Sequence, residues 1–535
     1  MKKMLNIMLT GLVGCALCTA ATSCSDKDDV TGDPQYNWAG TTQFFNPTDE
    51  QGFSTYYTPA IGRVGDPMPF YDKASGMFRV LYLQEYDNNA SHRFHPYWTV
   101  QTPDGANYMS LGETLAVGSN DYQQDAALGT GCCYYNEKDG LYYIYYTGHN
   151  GNAKYREAVM RATSPDYINW SRDELWQLNG PDYGYSSNDF RDPQVFVADD
   201  GLYHMVISTY PASGGDPCFA EFRSADMKTW EHVGRFPMIW SRMLECPDIF
   251  KMGDWWYLVY SDSNQQPWSR KVKYKKAATY EMLKGSFGGD AGEVALDNRS
   301  FYAGKTASNG TDRFIWGWCP FRYGANIHEK NVNHGGAWAE PAWSGAMVCH
   351  KVIQHEDGSL TLGAVPAMAA KYNVPQPVAV MASNGYSNGT LTGDGAYVLY
   401  NRLGAHNHIT FKVKTAGNGD NFGVSFVRGS DSEKYYSLVV APDGDGRVIH
   451  MEQEGVSGIG EIKDDGQALT RGSWFAQPAD NVFNVDIYTD NSVLVMYINN
   501  VACYTQRIYG IQKNCWSINN YGGSIAVSDV TVWQY

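Results

Sequence analysis

The chain has 535 residues and a formal net charge of −16, and only 18% of its residues are charged. This acidity argues against a nucleic-acid-binding protein, because such proteins carry clustered positive charge. Aromatic residues make up 14% of the chain, which suits an all-β core or flat surfaces that stack against ligand rings.

Residues 1–24 have the features of a bacterial lipoprotein signal peptide. Lys2 and Lys3 precede a short apolar stretch that ends in "ATSC" at Cys24. The stretch is too short to span a bilayer, and its ending resembles the lipobox whose cysteine is lipidated. Because "SDKDDV" follows and resembles an acidic export tag, we expect an outer-membrane, cell-surface lipoprotein of a Gram-negative bacterium; plain secretion or a periplasmic location is the alternative. Residues 25–55 are polar and turn-rich and are predicted to form a tether.

An internal repeat sets the predicted architecture of residues 56–368. Strand-like apolar runs such as "LYYIYYTGHN" and "WWYLVYSDSN" recur five times at intervals of roughly 60 residues. Equivalent positions in these runs are Phe78, Tyr142, Tyr203, Trp256 and Phe314. Turns rich in Gly, Asp and Asn separate the runs, and helical periodicity is almost absent. The pattern predicts a five-bladed β-propeller, and one large β-sandwich is the alternative.

The repeat ends near "VPAMAAKYNVPQP". Beyond it, segments such as "NVFNVDIYTDNSVLVMYINN" alternate apolar and polar residues, as half-buried strands of a sandwich do. We therefore expect residues 369–535 to form a C-terminal β-sandwich, which makes the whole fold all-β.

Three carboxylates stand near a proline ahead of repeated strands. They are Asp66 in "RVGDPMPFYD", Asp192 in "FRDPQVF" and Glu245 in "LECPDIF". We expect them at equivalent blade positions, where a propeller gathers its inner strands around one depression. A half-buried Glu245 could stay protonated and act as a general acid, and glycoside hydrolysis needs such an acid with a second carboxylate. Taken singly, each acid is better explained as a turn cap or part of a buried ion pair, and it is the matched positions of all three that favour catalysis.

On these motifs the chain resembles glycoside hydrolase family 32, the β-fructosidases. "FRDPQVF" and "LECPDIF" resemble the Arg-Asp-Pro and Glu-Cys motifs of the family, and "FRVLYLQ", "NRSFYAGKTA" and "RFIWGW" match further segments. The resemblance runs from about Gly62 to the C terminus and implies a five-bladed propeller joined to a β-sandwich. In the second domain, Val495 replaces a Glu of the family pattern.

The resemblance also implies roles for individual residues. Asp66 would be the nucleophile and Glu245 the acid/base, while Asp192 would hold ring hydroxyls and stabilise the transition state. Arg191 would orient the carboxylates, and Gln84 would contact the substrate. The implied outcome is retention, with the two catalytic carboxyls about 5 to 5.5 Å apart and no metal or organic cofactor.

The nucleophile motif departs from the family pattern. Most members read Trp-Met-Asn-Asp-Pro-Asn-Gly where this chain reads "RVGDPMP" around Asp66. The Asp-Pro pair is retained, whereas both asparagines and the tryptophan are lost. "LGTGCC" at 128–133 is likewise only loosely similar to the Ser-Gly-Ser segment of the family.

Several further residues are candidates for sugar binding. His95 and Trp98 could line an outer subsite or belong to a strand core. Asp125 could bind a hydroxyl or serve in a turn. Late in the propeller, three tryptophans could stack against sugar rings: Trp316, Trp318 and Trp338.

Three functions are therefore compared. The first is a hydrolase, expected to be a monomer, that cleaves fructans of the levan, inulin or sucrose type. The second is a non-catalytic surface lipoprotein that binds glycans, although a binding module does not need all three acids. The third is an inverting hydrolase similar to family 43 that acts on arabinan or xylan, for which the carboxyls would lie about 6.5 to 9.5 Å apart.

Overall fold

The structure is a computed structural model that describes ten stretches of the chain: residues 55–60, 62–86, 95–238, 243–263, 271–285, 294–320, 343–428, 431–451, 471–508 and 511–535. The predicted signal peptide with Cys24, nearly all of the tether, and Trp338 lie outside these residues. No helix within the described stretches is long and apolar enough to cross a membrane.

The first part of the described chain forms five antiparallel units of four strands each, the blades of a propeller, and the first and fifth of these are joined into one eight-stranded sheet. The first blade contains β1 to β4, at Arg63–Asp72, Met77–Glu85, Tyr97–Thr102 and Met109–Leu115. The second contains β5 to β8, at Ala127–Asn136, Leu141–His149, Glu157–Ser164 and Ser171–Leu178. The third contains β9 to β12, at Tyr185–Val197, Tyr203–Pro211, Cys218–Ser224 and Glu231–Pro237.

The fourth blade contains β13 to β16, at Leu244–Met252, Trp255–Asp262, Val272–Ala277 and Val294–Ala295. The fifth contains β17 to β20, at Tyr302–Ser308, Arg313–Pro320, Gly345–Gln354 and Leu360–Gly363. A single pairing between Val64 and Gly345 links the first blade to the fifth. Among the residues that the structure describes, three short helices accompany the strands: a 3₁₀ turn at Gly180–Tyr183, α1 at Tyr280–Lys284 and α2 at Pro366–Lys371.

The repeated runs of the sequence are the second strands of the five blades, β2, β6, β10, β14 and β18. Each is buried along nearly its whole length, because a second strand packs against blades on both of its faces. The outermost strands are much more exposed, as in β4 and β12. The predicted five-bladed propeller is confirmed.

A β-bulge interrupts the innermost strand of every blade near the propeller axis. In the first, third and fourth blades, two residues of the innermost strand lie opposite a single residue of the second strand. These pairs are Asp66-Pro67, Asp192-Pro193 and Cys246-Pro247. The second and fifth blades have their irregularities at Gly129–Gly131 and Tyr302–Lys305. Asp192 and Cys246 adopt positive φ angles of 59° and 51°. Bulges redirect side chains, so this repeated device determines which groups face the axis.

The bulges correct one prediction about the three acids. Asp66 and Asp192 occupy equivalent positions, but the equivalent residue in the fourth blade is Cys246. Glu245 lies one residue earlier and corresponds to Arg191 of the third blade. Successive strand residues face opposite sides, so Glu245 approaches the axis from a different direction than the two aspartates.

The C-terminal part forms a sandwich of two antiparallel sheets, which confirms the second predicted fold. Its first strands, β21 to β28, are Val374–Gln376, Val380–Asn384, Tyr386–Ser387, Thr390–Thr392, Ala396–Tyr400, His406–Thr415, Phe422–Arg428 and Asp431–Asp443. The remaining strands, β29 to β35, are Gly446–Met451, Phe475–Ala476, Val482–Asp490, Val493–Ile498, Ala502–Arg507, Trp516–Asn520 and Ser524–Gln534. One sheet has the order β23-β24-β35-β26-β31-β32-β33, with β21 beside β35, and the other β22-β25-β34-β27-β28-β29-β30.

The sandwich packs directly against the propeller. Its β31 to β33 face contributes Tyr488, Val493, Tyr497 and Cys503 to a hydrophobic cluster that also includes propeller residues of the first and fifth blades. The buried Arg507 guanidinium donates to the carbonyl oxygens of Cys319 and Pro320 at 2.8 and 3.2 Å. The sandwich and the propeller therefore share one hydrophobic cluster, and hydrogen bonds tie the sandwich to the end of a strand in the fifth blade.

Candidate active site

The five bulged strands surround a cavity of about 760 Å³. Its wall includes side chains from every blade, among them Asp66, Thr130, Arg191, Asp192, Glu245, Tyr302 and Trp343. The three acids that the sequence places far apart therefore meet in one cavity.

Two neighbouring blades hold the carboxylate of Asp66. Its Oδ2 accepts a hydrogen bond of 2.5 Å from the Thr130 hydroxyl, and its Oδ1 accepts one of 2.9 Å from the Trp318 indole N–H. Each oxygen thus has its own donor, which fixes the orientation of the carboxylate. An oriented carboxylate at the cavity wall has the geometry of a nucleophile.

Glu245 is held by groups from the two blades on either side of its own. Its Oε2 accepts from the Tyr302 hydroxyl at 2.9 Å, and its Oε1 accepts from Nη1 of Arg191 at 3.3 Å. The side chain is 26% exposed, so the carboxyl can exchange a proton with a molecule in the cavity. A partly exposed carboxyl with one neutral and one charged donor suits a group that alternates between acid and base.

Asp192 is the most buried of the three acids, with 4% of the residue exposed. Its Oδ2 accepts from the backbone N–H of Cys246 at 2.8 Å, and its own N–H donates to the Thr147 hydroxyl at 3.0 Å. Burial, followed by repulsion from Glu245, raises the pKa of Asp192 to about 7, against the opposing effect of Arg191. The carboxyl is therefore ready to share a proton with a hydroxyl group near neutral pH.

Cys246 connects the three acids. Its backbone N–H contacts Asp192, while its thiol lies 4.0 Å from Oδ2 of Asp66. Glu245 is its immediate chain neighbour. The bulge at Cys246-Pro247 thus places Cys246 of the fourth blade in contact with the carboxylates of two other blades, Asp66 and Asp192.

Comparisons with known proteins give the family. A sequence model described as "Glycosyl hydrolases family 32 N-terminal domain" matches residues 57–364, and one described as "GH32, BT1760-like, C-terminal domain" matches residues 358–532. The chain belongs to glycosyl hydrolase family 32. It is accordingly a glycosyl hydrolase, and the family resemblance inferred from the motifs is confirmed.

Individual members of family 32 are similar over most of the chain. Raffinose invertase from Escherichia coli is 24% identical over 451 residues, which cover 79% of this chain and 83% of that protein. Fructan 1-exohydrolase IIa from Cichorium intybus has a TM-score of 0.70 at 14% identity, covering 91% of this chain and 97% of that one. Sucrose-6-phosphate hydrolase from Lactobacillus gasseri has a TM-score of 0.67 at 14% identity and covers 96% of both chains. The structural likeness supports the propeller and sandwich of family 32.

Some of the other predicted site residues reach the cavity and some do not. His95 lines it, and its Nε2 donates to Oε2 of Glu85 at 2.5 Å. The His95 ring packs 4.6 Å from that of Trp343. Trp318 is 1% exposed and reaches the site only through its indole N–H, so it supports Asp66 and cannot stack against a sugar. Arg191 contacts Glu245, as the family resemblance implied.

Four residues predicted to contact sugar do not line the cavity: Gln84, Asp125 and Trp316 are buried, and Trp98 is partly buried. Trp316 is 0% exposed and donates to the Tyr108 hydroxyl within the core. Asp125 pairs with Arg172 at 2.8 Å. Gln84 is 1% exposed and donates to the backbone oxygen of Glu85, and Trp98 packs against the same core as Trp316; neither of them lines the cavity.

Among the residues of the cavity wall that sequence reasoning missed, four are polar or aromatic groups close to the acids or their partners: Thr130, Glu157, Tyr302 and Trp343. Tyr302 stood in the compared segment "NRSFYAGKTA" without being assigned a role. Thr130 could have been found by aligning the blades, since it lies at the bulge of the second blade where Asp66 and Asp192 lie in theirs. The other two carry no signal in the sequence.

One group of possible metal ligands lies among the described residues, away from the cavity. Asp297, His350 and Cys503 are buried between propeller and sandwich, with ligand atoms within 4.8 Å of one another. Both oxygens of Asp297 already accept hydrogen bonds from Thr505, at 3.0 Å from its N–H and at 2.6 Å from its hydroxyl. We interpret the group as a hydrogen-bonded cluster that joins the two folds.

Proposed function

We propose that this family 32 enzyme hydrolyses the β-fructosidic bonds of fructans with retention of configuration. The observation that carries the proposal is the convergence of Asp66, Asp192 and Glu245 on one cavity, each with different hydrogen-bond partners. Two carboxylates with separate roles and a third that holds the sugar are what this reaction requires.

In this proposal each carboxylate has one role, which its contacts support. Asp66, fixed by Thr130 and Trp318, attacks the anomeric carbon of the fructosyl unit and forms a covalent intermediate. Glu245 gives its proton to the leaving oxygen and then takes one from the water that releases the sugar. Asp192 accepts hydrogen bonds from ring hydroxyls and stabilises the positive charge that develops in the transition state.

The choice of a fructan is supported by the named relatives. Solved structures similar to this chain include the exo-inulinase of Aspergillus awamori, with a TM-score of 0.68 at 14% identity, and the fructan 1-exohydrolase described above. The cavity volume of about 760 Å³ is larger than one sugar ring needs and can accept more than the terminal residue of a chain.

Product analysis tests this function. The parent enzyme is incubated with levan, inulin, sucrose and arabinan, and the released sugars are identified by chromatography, with Glu245→Gln and Asp66→Asn as matched variants. We expect the parent to release fructose from at least one fructoside and no sugar from arabinan. Both variants should release no fructose. Reaction in the presence of methanol should give the methyl β-fructoside if configuration is retained, whereas the α-anomer would contradict the assignment of Asp66.

The same experiment also tests the two other candidate functions. Release from arabinan alone would favour a family 43-like activity, and binding of a glycan without release of any sugar would favour a binding protein. Each of these results would overturn the proposed hydrolysis of fructans.

We also propose that the enzyme works at the outer surface of a Gram-negative cell, attached through lipidated Cys24. The support is the sequence of residues 1–24 and the acidic segment that follows. Labelling with a fatty-acid analogue and exposure of whole cells to protease would test it. Loss of the label in Cys24→Ala is expected, and unlabelled, fully secreted parent protein would contradict the proposal.

A further inference from the structure

Glu157 is a buried carboxylate at the cavity to which the scheme above gives no role. It is the first residue of β7 in the second blade, and only 5% of it is exposed. Its Oε2 accepts two hydrogen bonds from the third blade, at 3.0 Å from the Phe190 N–H and at 2.9 Å from Nε of Arg191. Glu157 therefore connects two blades immediately before the bulge that carries Asp192.

The guanidinium of Arg191 faces a different carboxylate with each nitrogen. Nε donates to Glu157, Nη2 donates to Asp189, and Nη1 donates to Glu245. The side chain of Asp189 is 32% exposed, whereas that of Glu157 is 7% exposed and anchored by a backbone N–H. Because a guanidinium is planar, fixing Nε also fixes the direction of Nη1 toward Glu245.

Glu157 also carries a charge that acts on Arg191. Burial opposes ionisation, but hydrogen bonding with His149 and the charge and hydrogen bond of Arg191 lower the pKa of Glu157, so the group is anionic at neutral pH. An unshared Arg191 cation would strongly favour the ionised form of Glu245. By sharing that cation, Glu157 reduces this effect and leaves Glu245 able to hold the proton that it must donate.

We propose that Glu157 is a positioning residue that acts through Arg191 on Glu245, both by aiming the guanidinium and by offsetting its charge. This inference rests on the proposed function, since it assigns Glu245 the role of acid and base. Other ionisable groups also face this network, and they are present in the parent and in every Glu157 variant, so a difference between the two reports the loss of Glu157. These groups are His149, Asp189, Asp192, Asp66, Tyr210, Cys246 and Tyr302.

The test compares two substitutions at this position. Glu157→Gln keeps the shape and an acceptor oxygen but removes the charge, so the basic limb of the kcat/KM profile should move to lower pH by roughly 0.5 to 1 unit. Glu157→Ala also releases the guanidinium, and kcat should fall by about 10-fold or more with a smaller change in KM. Activity is measured on the fructoside that the parent cleaves best, from pH 4 to pH 9.

Glu221→Gln is the matched control. Glu221 is a buried carboxylate of β11, 3% exposed, and it pairs with His204 at 2.9 Å and Lys284 at 3.2 Å outside the cavity. Its replacement should lower thermal stability and leave the pH profile of the parent unchanged. An equal shift in Glu221→Gln would show that any lost buried charge moves the profile and would overturn the inference.

The remaining outcomes distinguish a failure of the proposed role of Glu157 from a failure of the proposed enzymatic function. An active parent whose basic limb is unmoved in Glu157→Gln overturns the role of Glu157 and leaves the proposed function standing. A parent that cleaves no β-fructoside overturns the proposed function and this inference with it. Thermal melts accompany each variant, and if Glu157→Ala does not fold, the Gln variant alone decides.

Discussion

Replacing Asp192 by Asn should make the enzyme more stable at alkaline pH while it removes activity. The carboxyl is 4% exposed and lies beside Glu245 and Asp66, so its ionisation is opposed by burial and by like charges. Asn keeps an oxygen that can accept the Cys246 N–H, at present 2.8 Å from the carboxylate. The substitution therefore removes a destabilising charge with little change in shape.

The magnitude follows from the raised pKa of Asp192, about 7 in the folded protein against an ordinary value of 3.8. Between these values the folded state keeps a proton that the unfolded state has lost, so stability falls as pH rises and the penalty is complete above about pH 7. Three pKa units correspond to about 4 kcal/mol at most. At about 2 °C per kcal/mol for a large domain, Asp192→Asn should raise Tm at pH 8 by roughly 5 to 8 °C.

The assay is a series of thermal melts of parent and variant from pH 4 to pH 9. The gain in Tm should be near zero at pH 4, grow through pH 5 to 7 and level off above it. Asp125→Asn serves as a control, because that buried carboxylate is paired with Arg172 and its replacement should destabilise the protein at neutral pH. A variant of Asp192 that is less stable than the parent at pH 8, or a gain independent of pH, would refute the reasoning.

The other predictions concern the remaining site residues and the contact between the two folds. Glu245→Gln should retain cleavage of an activated fructoside such as a nitrophenyl derivative, because its leaving group needs no protonation. Asp66→Asn should lose activity on natural and activated substrates alike, by about 10³-fold or more in kcat. Equal losses on both substrates in Glu245→Gln would contradict the assignment of Glu245 as the acid. Tyr302→Phe removes the hydroxyl that donates to Glu245 at 2.9 Å and that favours the ionised carboxylate. The value of kcat/KM should therefore fall about 10-fold, and the basic limb of its pH profile should move to higher pH. A pH profile identical to that of the parent would disprove this. Asp297→Ala removes both oxygens that accept hydrogen bonds from the sandwich residue Thr505, and it should cost about 2 kcal/mol because buried donors are left unpaired. The loss would be visible as a lower Tm at pH 7, and an unchanged melt would show that the cluster does not join the folds.

The sequence is informative about the site where a motif carries both a residue type and a chain position. Asp66, Asp192 and Glu245 each stand within two residues of a proline ahead of a repeated strand, and all three reach the cavity. It is much less informative about aromatic side chains. Trp316 and Trp318 look alike in the sequence, but one is buried in the core and the other donates to Asp66.

The sequence by itself determined the number of blades and the second all-β fold, because apolar periodicity and turn residues are local features that recur in each unit. Apart from Arg191, which the family resemblance implied, only the tertiary structure decided the partners of the acids. Thr130, Arg191 and Tyr302 come from three blades other than those of the acids they contact. The bulges and the closure of the ring set these contacts, and both depend on pairings between segments far apart in the chain.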